Sequence, residues 1–387
     1  MMADYFCHNG IYATLVCLAV LTLLARPSLA RATEPAPAGP PLHVGEIRIV
    51  TRDIFSRHEV EDAALPLRLM RGAMNGLHTN TRDFVLRREL LFRRGDRYEP
   101  ALLEETERNL RALGWLSDAR VTAVDTTADG AVDVLVETHE AWTLSTSFAY
   151  SLASGGNVRW NAQASEINFL GYGVTVGGGV GADEDRSWWK VWYRKRRFLG
   201  RALWFGIDWS ETGDGHVHRV FLSRPFYAAD DARGIDAEVS DSDLERRWYL
   251  SNAGPSGVDP AAEASLYAKI PVREKRAVLQ AVWRTTGRGA SRVWRLGGGA
   301  EVTERTWRLA PAHVLSDGRS EDLGWLAAPG LPMARESRVR VFPYAWVQSV
   351  GRRWTVGRFV LQYGATEDIP ADAVLEARLG PAPHRRG

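Results

Sequence analysis

Beyond residue 17 this 387-residue chain contains no cysteine, since its only two are Cys7 and Cys17. Once that segment is removed no thiol remains, which excludes a disulfide framework, a thiolate metal site and a cysteine nucleophile together. A charge excess is missing as well. The formal net charge is +2, which implies no polyanionic partner and no nucleic acid. Long apolar runs are also absent after Leu24: no later segment approaches the roughly 18 consecutive apolar residues of a transmembrane helix. Membrane insertion is then left to a closed β-barrel, the other structure that satisfies its backbone hydrogen bonds in lipid.

The early apolar run, Ile11 to Leu24, ends at Arg26 and Pro27 and is too short to span a bilayer comfortably. Ser28, Leu29 and Ala30 form a small-x-small pattern before a cut at Arg31, with Ala30 and Ala32 as the alternative pairing. Residues 1–30 therefore read as a signal peptide. Residues 1–10 carry Asp4 and no Lys or Arg, so an uncleaved anchor is the competing reading. Residues 31–42, rich in Pro and Ala, form a solvated linker.

Residues 43–138 carry the pattern of one small α+β domain. His43 to Val50 alternates as a strand, and 51–80 is an excursion with a short helix. Thr81 opens a helix whose apolar face, Phe84, Val85, Leu90 and Leu91, runs to Phe92 before the stop at Gly95. Pro100 stands in the first turn of a second helix, where its missing N–H costs nothing, and Leu102, Leu103, Thr106, Leu110 and Leu113 follow at helical spacing. Ala119 to Val124 and Val132 to Glu137 are two strands joined by a turn around Asp129 and Gly130. The order is strand, helix, helix, strand, strand.

From Trp142 to residue 387 the helical period gives way to segments that alternate apolar and polar residues, about twelve in number. In Asn157–Ser165, Val158, Trp160, Ala162 and Ala164 share one side; in Leu203–Trp209, Leu203, Phe205, Ile207 and Trp209 do so; near the end Val339, Val341, Ala345 and Val347 do so. Many short segments of one-sided alternation are the mark of a transmembrane β-barrel. A soluble β-sandwich or lipocalin-like barrel alternates too. The export signal favours the membrane, as do aromatic clusters near segment ends (Trp188, Trp189, Trp192, Tyr193; Phe226, Tyr227; Trp248, Tyr249) and polar faces carrying Arg and Lys.

Several motifs then carry a resemblance. The block 81–144, with Arg87–Leu91 followed by Gly95, Asp96, Tyr98 and Leu110 to Leu116, resembles a POTRA domain running into a first barrel strand near Trp142, as in BamA/TamA family outer-membrane proteins. Glu166, Asn168, Phe169, Leu170, Gly171 and Gly173 match that family's E-x-N-F-L-G-x-G turn. Phe198-Leu199-Gly200-Arg201 resembles a later N-x-x-G-R turn, with Arg196-Arg197 where Asp-Pro is expected. Arg224-Pro225-Phe226-Tyr227 and Thr366-Glu367-Asp368-Ile369-Pro370 recur in relatives with a single POTRA domain, the surface-antigen type. The resemblance implies a βααββ POTRA domain followed by an antiparallel transmembrane barrel. It implies an outer-membrane location with the N-terminal domain in the periplasm. The family's V-R-G-[FY] motif and terminal aromatic strand are not visible, and Val356-Gly357-Arg358-Phe359 has the letters in another order. About twelve strands, ending in the Pro-broken run Pro381 to Gly387, lead to the expectation of a truncated barrel.

No catalytic, cofactor or metal residues are expected. His216 and His218 flank Val217 and face one way, but without a third ligand nearby a strand-end or lumen position is the expected one. Asp183, Glu184 and Asp185 read as an acidic turn, and Arg194–Arg197 as a basic strand end beside lipid headgroups or solvent. Gly177, Gly178 and Gly179 lack the helix and Lys of a phosphate loop and suit relief of crowding inside a barrel. The resemblance implies outer-membrane protein assembly or polypeptide translocation by non-covalent client binding. Its implied partners are polypeptide clients, accessory lipoproteins, and outer-membrane lipid with lipopolysaccharide. By that analogy the client-binding edge is the strand Ala119, Arg120, Val121, Thr122, Ala123, Val124, unless the 51–80 excursion covers it. A passive pore or structural barrel, a non-functional truncated relative and an outer-membrane lipase are the competing functions.

Overall fold

The computed structural model describes residues 42–152, 158–183, 186–249, 267–310, 313–314, 320–323, 337–358 and 365–380. The expected signal peptide, the linker as far as residue 41, Glu184 with Asp185, and the run from Pro381 to Gly387 lie outside them.

The first unit comprises β1 (His43–Arg52), α1 (Arg57–Glu61), α2 (Leu65–Leu77), α3 (Asp83–Glu89), α4 (Pro100–Arg111), β2 (Leu116–Thr126) and β3 (Ala131–Glu140). Its sheet has the order β1-β3-β2, with β3 parallel to β1 and antiparallel to β2. β3 alternates throughout, burying Val132, Val134, Val136, Thr138 and Glu140. On α4 the helical spacing buries Leu103, Thr106 and Leu110. Of these, Leu103, Leu110, Val134 and Val136 pack with Val44, Leu86, Phe92, Leu113, Trp115, Leu116, Ala119 and Val121 in one core. Removing side chains such as Leu86, Leu110 and Leu113 from water stabilises the unit by about 1.5–3 kcal/mol each.

Two expectations are corrected here. The helix expected from Thr81 to Phe92 is confined to Asp83–Glu89. The Thr81 N–H donates to Glu140 Oε1 at 2.8 Å and the Arg82 N–H to the Gly171 carbonyl at 3.0 Å, so tertiary contacts take the backbone donors that precede the helix. At the other end Leu90 is extended and the Leu91 N–H donates to Thr106 Oγ1. The excursion at 51–80 contains two helices rather than one, and the first opens on a capping box between Ser56 and Glu59.

The second unit is dominated by an eleven-stranded antiparallel sheet, open among the described residues. Its first nine strands follow one another as a meander: β4 (Leu144–Leu152), β5 (Val158–Glu166), β6 (Val174–Ala182), β7 (Ser187–Lys195), β8 (Trp204–Thr212), β9 (Gly215–Arg224), β10 (Arg233–Tyr249), β11 (Tyr267–Arg284) and β12 (Arg292–Trp307). After the short pair β13 (His313–Val314) and β14 (Ser320–Glu321) come β15 (Ser337–Gly351), the hairpin β16 (Trp354–Arg358) with β17 (Thr366–Pro370), and β18 (Leu375–Leu379); β15 and β18 complete the large sheet.

The register sorts this sheet into two faces. One apolar row, Val176, Tyr193, Ile207, Val220, Val239, Ala277, Val302 and Val341, crosses from β6 to β15 through directly opposed pairs. The opposite face carries a belt of alternating charge with one residue per strand from β7 to β12. Arg194 meets Asp208 at 2.8 Å, Asp208 meets Arg219 at 3.6 Å, Arg219 meets Glu238 at 2.8 Å, and Arg276 meets Glu238 at 2.8 Å and Glu301 at 2.9 Å. An apolar face backed by a polar, ion-paired face is the division a membrane barrel requires. Three glycines of β6, Gly177, Gly179 and Gly181, lie on the charged face, two of them for a steric reason. A Cβ at Gly177 would stand 2.2 Å from the Trp192 indole, and one at Gly181 2.5 Å from the Trp188 indole. Lys190 lies 5.3 Å from the centroid of each of those two rings.

Candidate functional site

Several of the residues that carried the motif resemblance collect where the small domain meets the turns and the β16–β17 hairpin at one end of the sheet. In the turn after β5, Asn168 is buried; its Nδ2 donates to Thr81 Oγ1 at 2.8 Å and its Oδ1 accepts the Gly173 N–H at 2.7 Å. Glu166 accepts the Asn168 N–H at 2.9 Å. Gly171 and Gly173 have φ of 74° and 59°, and a Cβ would stand 2.3 Å from the Asn80 carbonyl oxygen at the first and 2.9 Å from Val85 at the second. Arg82 donates to the Leu170 carbonyl at 3.2 Å and lies over the Tyr172 ring at 4.2 Å.

The next turn repeats the Phe-Leu-Gly sequence and its left-handed leucine: Leu170 has φ 52° and Leu199 φ 55°. Here Arg197 reaches Glu89, with its Nε 2.9 Å from Oε2, and its guanidinium lies 3.8 Å from the Tyr227 ring centroid. In the third turn the Tyr227 carbonyl accepts from Asn109 at 2.6 Å, and the Ala229 N–H donates to Glu105 at 2.5 Å. Burial pushes the Glu105 carboxyl above its ordinary range, against the pull of that N–H and of Arg108. Phe226 lies beneath Arg295 at 3.8 Å.

The fourth contact is made by β17. Arg111 of α4 donates through Nε and one terminal nitrogen to the two oxygens of Asp368, each at 2.8 Å. Only 7% of the Arg111 side chain and 10% of the Asp368 side chain are exposed. Burial works against the guanidinium charge, and the bonds to Asp368 and Glu107 outweigh it, so the pKa rises.

Not every motif residue joins this cluster. The side chains of Trp142, Phe169 and Leu170 are exposed, and Leu170 takes part only through its carbonyl. Arg224 ends β9 opposite Ile235, and Pro225 follows it. Glu367, Ile369 and Pro370 face Gly357, Thr355 and Trp354 across the β16–β17 hairpin. Of the other residues singled out, His218 lies between its neighbours, stacked 3.4 Å from Trp209 and 4.4 Å from His216 and bonded to Glu211 at 2.9 Å.

The strand containing Ala119 to Val124 is β2, which ends the three-stranded sheet on the side away from β1. Two of its outward backbone groups are engaged. The Ala119 carbonyl accepts from Arg111 at 3.1 Å, and the Val121 N–H donates to Glu107 Oε2 at 2.8 Å. The groups bonded at these positions come from α4 and not from residues 51–80. Farther along, Thr122, Ala123 and Val124 are exposed. Sequence reasoning missed Thr81, Arg82, Glu89, Asn109 and the Glu107–Arg111 pair. Only that last pair left a local signal, an acid and a base four residues apart on a helix.

Residues 73–141 match the POTRA family model, described as a surface antigen variable number repeat. The chain carries a POTRA domain. Over 140 residues it is 28% identical to a protein of Treponema pallidum (strain Nichols) named as an outer membrane protein assembly factor. That match takes in 34% of this chain and 16% of the relative's own length. Among solved structures, BamA from Haemophilus ducreyi lacking POTRA domains 1–3 aligns at 13% identity over 89% of this chain and 85% of its own, with a TM-score of 0.38. CdiB from Acinetobacter baumannii aligns at 10% identity over 98% and 85%, with a TM-score of 0.29. Scores that low carry no argument. The expected order, a POTRA domain followed by a large antiparallel sheet, rests on the family match and on the strand pairing itself.

Proposed function

We propose that this chain is an outer-membrane protein in which a POTRA domain on the periplasmic side hands unfolded polypeptide to a β-barrel, for assembly into or passage across the membrane. The relative's name as an assembly factor supports the reading. The observation that carries it is the joint: four successive contacts hold one POTRA domain across the turns of the sheet, with β2 at the free end of its own sheet. A client adding to β2 as an extended strand would bond through its backbone and need no particular sequence. Its entry is Thr122 to Val124, and extension to Ala119 requires Glu107 and Arg111 to give up the bonds they make there. The action is binding and release rather than covalent catalysis, with lipid, lipopolysaccharide and accessory lipoproteins as the remaining partners.

The test places a photo-crosslinking residue at Val124 of the full chain in lipid vesicles and adds an unfolded outer-membrane β-barrel polypeptide. Crosslinks to that polypeptide and its faster insertion are expected. Vesicles that conduct ions yet give neither crosslinks nor faster insertion would establish the passive-pore reading in its place.

A further inference from the structure

The helix α2, Leu65–Leu77, is turned inside out. At a period of 3.6 residues Leu65, Leu69, Ala73 and Leu77 form one line with Met70 beside it, and Arg71 and Asn75 lie on the other side. The polar side faces the protein. Asn75 exchanges two hydrogen bonds with the backbone of Phe55, at 2.8 and 3.2 Å, and Arg71 donates to the Glu59 carbonyl at 2.6 Å while lying over the Phe55 ring. The apolar side faces out: Leu65 and Leu69 are 65% exposed, Met70 52% and Leu77 79%, and no residue of the helix is buried. A helix folded for water alone would be rotated by about half a turn.

We propose that α2 lies in the headgroup layer of a phospholipid leaflet that contains anionic lipid, beside the periplasmic turns of the sheet. The proposal rests on the reading of that sheet as membrane-embedded. Three observations choose lipid as the occupant. The first is position. His78, the residue after Leu77, bonds Glu140 at 3.1 Å and Thr143 at 3.4 Å, and Thr143 precedes Leu144, which opens the apolar face of β4. The second is what surrounds that end of the helix. Phe84, Trp142, Leu144, Phe169 and Tyr172 are exposed around the same joint, the aromatic-rich composition found at membrane–water interfaces. The third is charge. The helix carries no acidic side chain, and of its two basic ones Arg68 is exposed while Arg71 is turned to Glu59 and Phe55. Thirteen residues rise about 20 Å as a helix, too little to span a bilayer, so α2 lies in the plane with its leucines down.

The experiment uses the full chain with Cys7→Ser and Cys17→Ser, which leaves no other cysteine. Leu69→Cys carries an environment-sensitive fluorophore, and the protein is folded into vesicles of phosphatidylethanolamine and phosphatidylglycerol. Leu279→Cys, on the apolar face of β11, serves as the membrane reference, and Arg57→Cys on α1 as the aqueous one. Quenching at position 69 by shallow doxyl-phospholipid is expected to exceed quenching by aqueous iodide several-fold. Phosphatidylcholine alone should lower that ratio at 69 and leave it unchanged at 279. Iodide quenching at 69 with doxyl quenching at 279 would overturn the proposal and leave the membrane reading standing. Iodide quenching at both would overturn the two together. Protection of 69 from both quenchers would overturn it in favour of a protein occupant.

Discussion

Arg111 of the POTRA helix α4 grips Asp368 of β17 with two bonds of 2.8 Å, and the same guanidinium bonds the Ala119 carbonyl on the edge of β2. One side chain thus ties the domain to the sheet and occupies part of the strand edge proposed for clients. The pair is nearly inaccessible, so its coupling is less screened than that of a surface ion pair. A double-mutant cycle with Arg111→Met and Asp368→Asn should give a coupling energy of about 1–3 kcal/mol in urea unfolding. If the edge is used as proposed, Asp368→Asn should also raise client crosslinking at Val124. A coupling below about 0.5 kcal/mol would mean that the pair ties nothing.

Gly171 permits a second tie. An alanine there meets a left-handed backbone, at about 1–2 kcal/mol, and also the Asn80 carbonyl oxygen 2.3 Å away. Gly289 separates these effects because its φ of 73° is nearly the same and nothing stands within 4 Å of its Cβ position. Gly171→Ala should therefore destabilise the protein more than Gly289→Ala. It should also speed hydrogen exchange at the Arg82 amide, which donates to the Gly171 carbonyl. Equal losses from the two variants would show that the close approach to the Asn80 carbonyl costs nothing.

What the sequence made legible follows from the range of each interaction. Period-two alternation is local, and it located β5, β8 and β15 to within a few residues. The helix α4 was likewise readable from Pro100 and its leucines. The start of α3 was not, because Thr81 and Arg82 give their amides to Glu140 and Gly171, 59 and 89 residues away. The capping box at Ser56 and Glu59 stands in the sequence as Ser-x-x-Glu and marks the start of α1, one of two helices in an excursion where a single short helix is expected. At the joint, motif resemblance picked out Asn168, Gly171, Tyr227 and Asp368. Their partners Thr81 and Asn109 follow no pattern of their own, and the four-residue spacing of Glu107 and Arg111 does not point to Asp368, so these pairings emerge only when the chain is folded.

Glu105 should make the joint pH-dependent. Its folded pKa is raised above the ordinary value of a glutamate, chiefly by burial, so the folded state binds a proton that the unfolded chain has already lost. The stabilisation from that proton is complete below the unfolded pKa and is lost as pH rises through the raised folded value. Glu105→Gln keeps an oxygen to accept the Ala229 N–H and removes the titration. The wild-type chain should lose stability relative to Glu105→Gln as pH is raised from 4 toward 7, read as diverging urea midpoints. Parallel midpoints across that range would show that the carboxyl is not desolvated.

Proline substitutions at Val121 and Thr122 test the register of β2. Val121 sends its N–H outward to Glu107, so in an antiparallel ladder the backbone of Thr122, opposite Leu135, turns inward to β3. Proline at 121 removes an outward donor on an edge strand, a position where proline is tolerated. Proline at 122 removes a ladder bond. Val121→Pro should therefore keep the domain folded, by circular dichroism and resistance to protease, while client crosslinking at Val124 falls several-fold. Thr122→Pro should cost the domain several kcal/mol, of the order found for proline within regular structure. A Val121→Pro chain that folds and still crosslinks its client at the wild-type level would show that clients do not pair with β2 as far as Val121. A Thr122→Pro chain as stable as the wild type would show that the ladder has been placed one residue out of register.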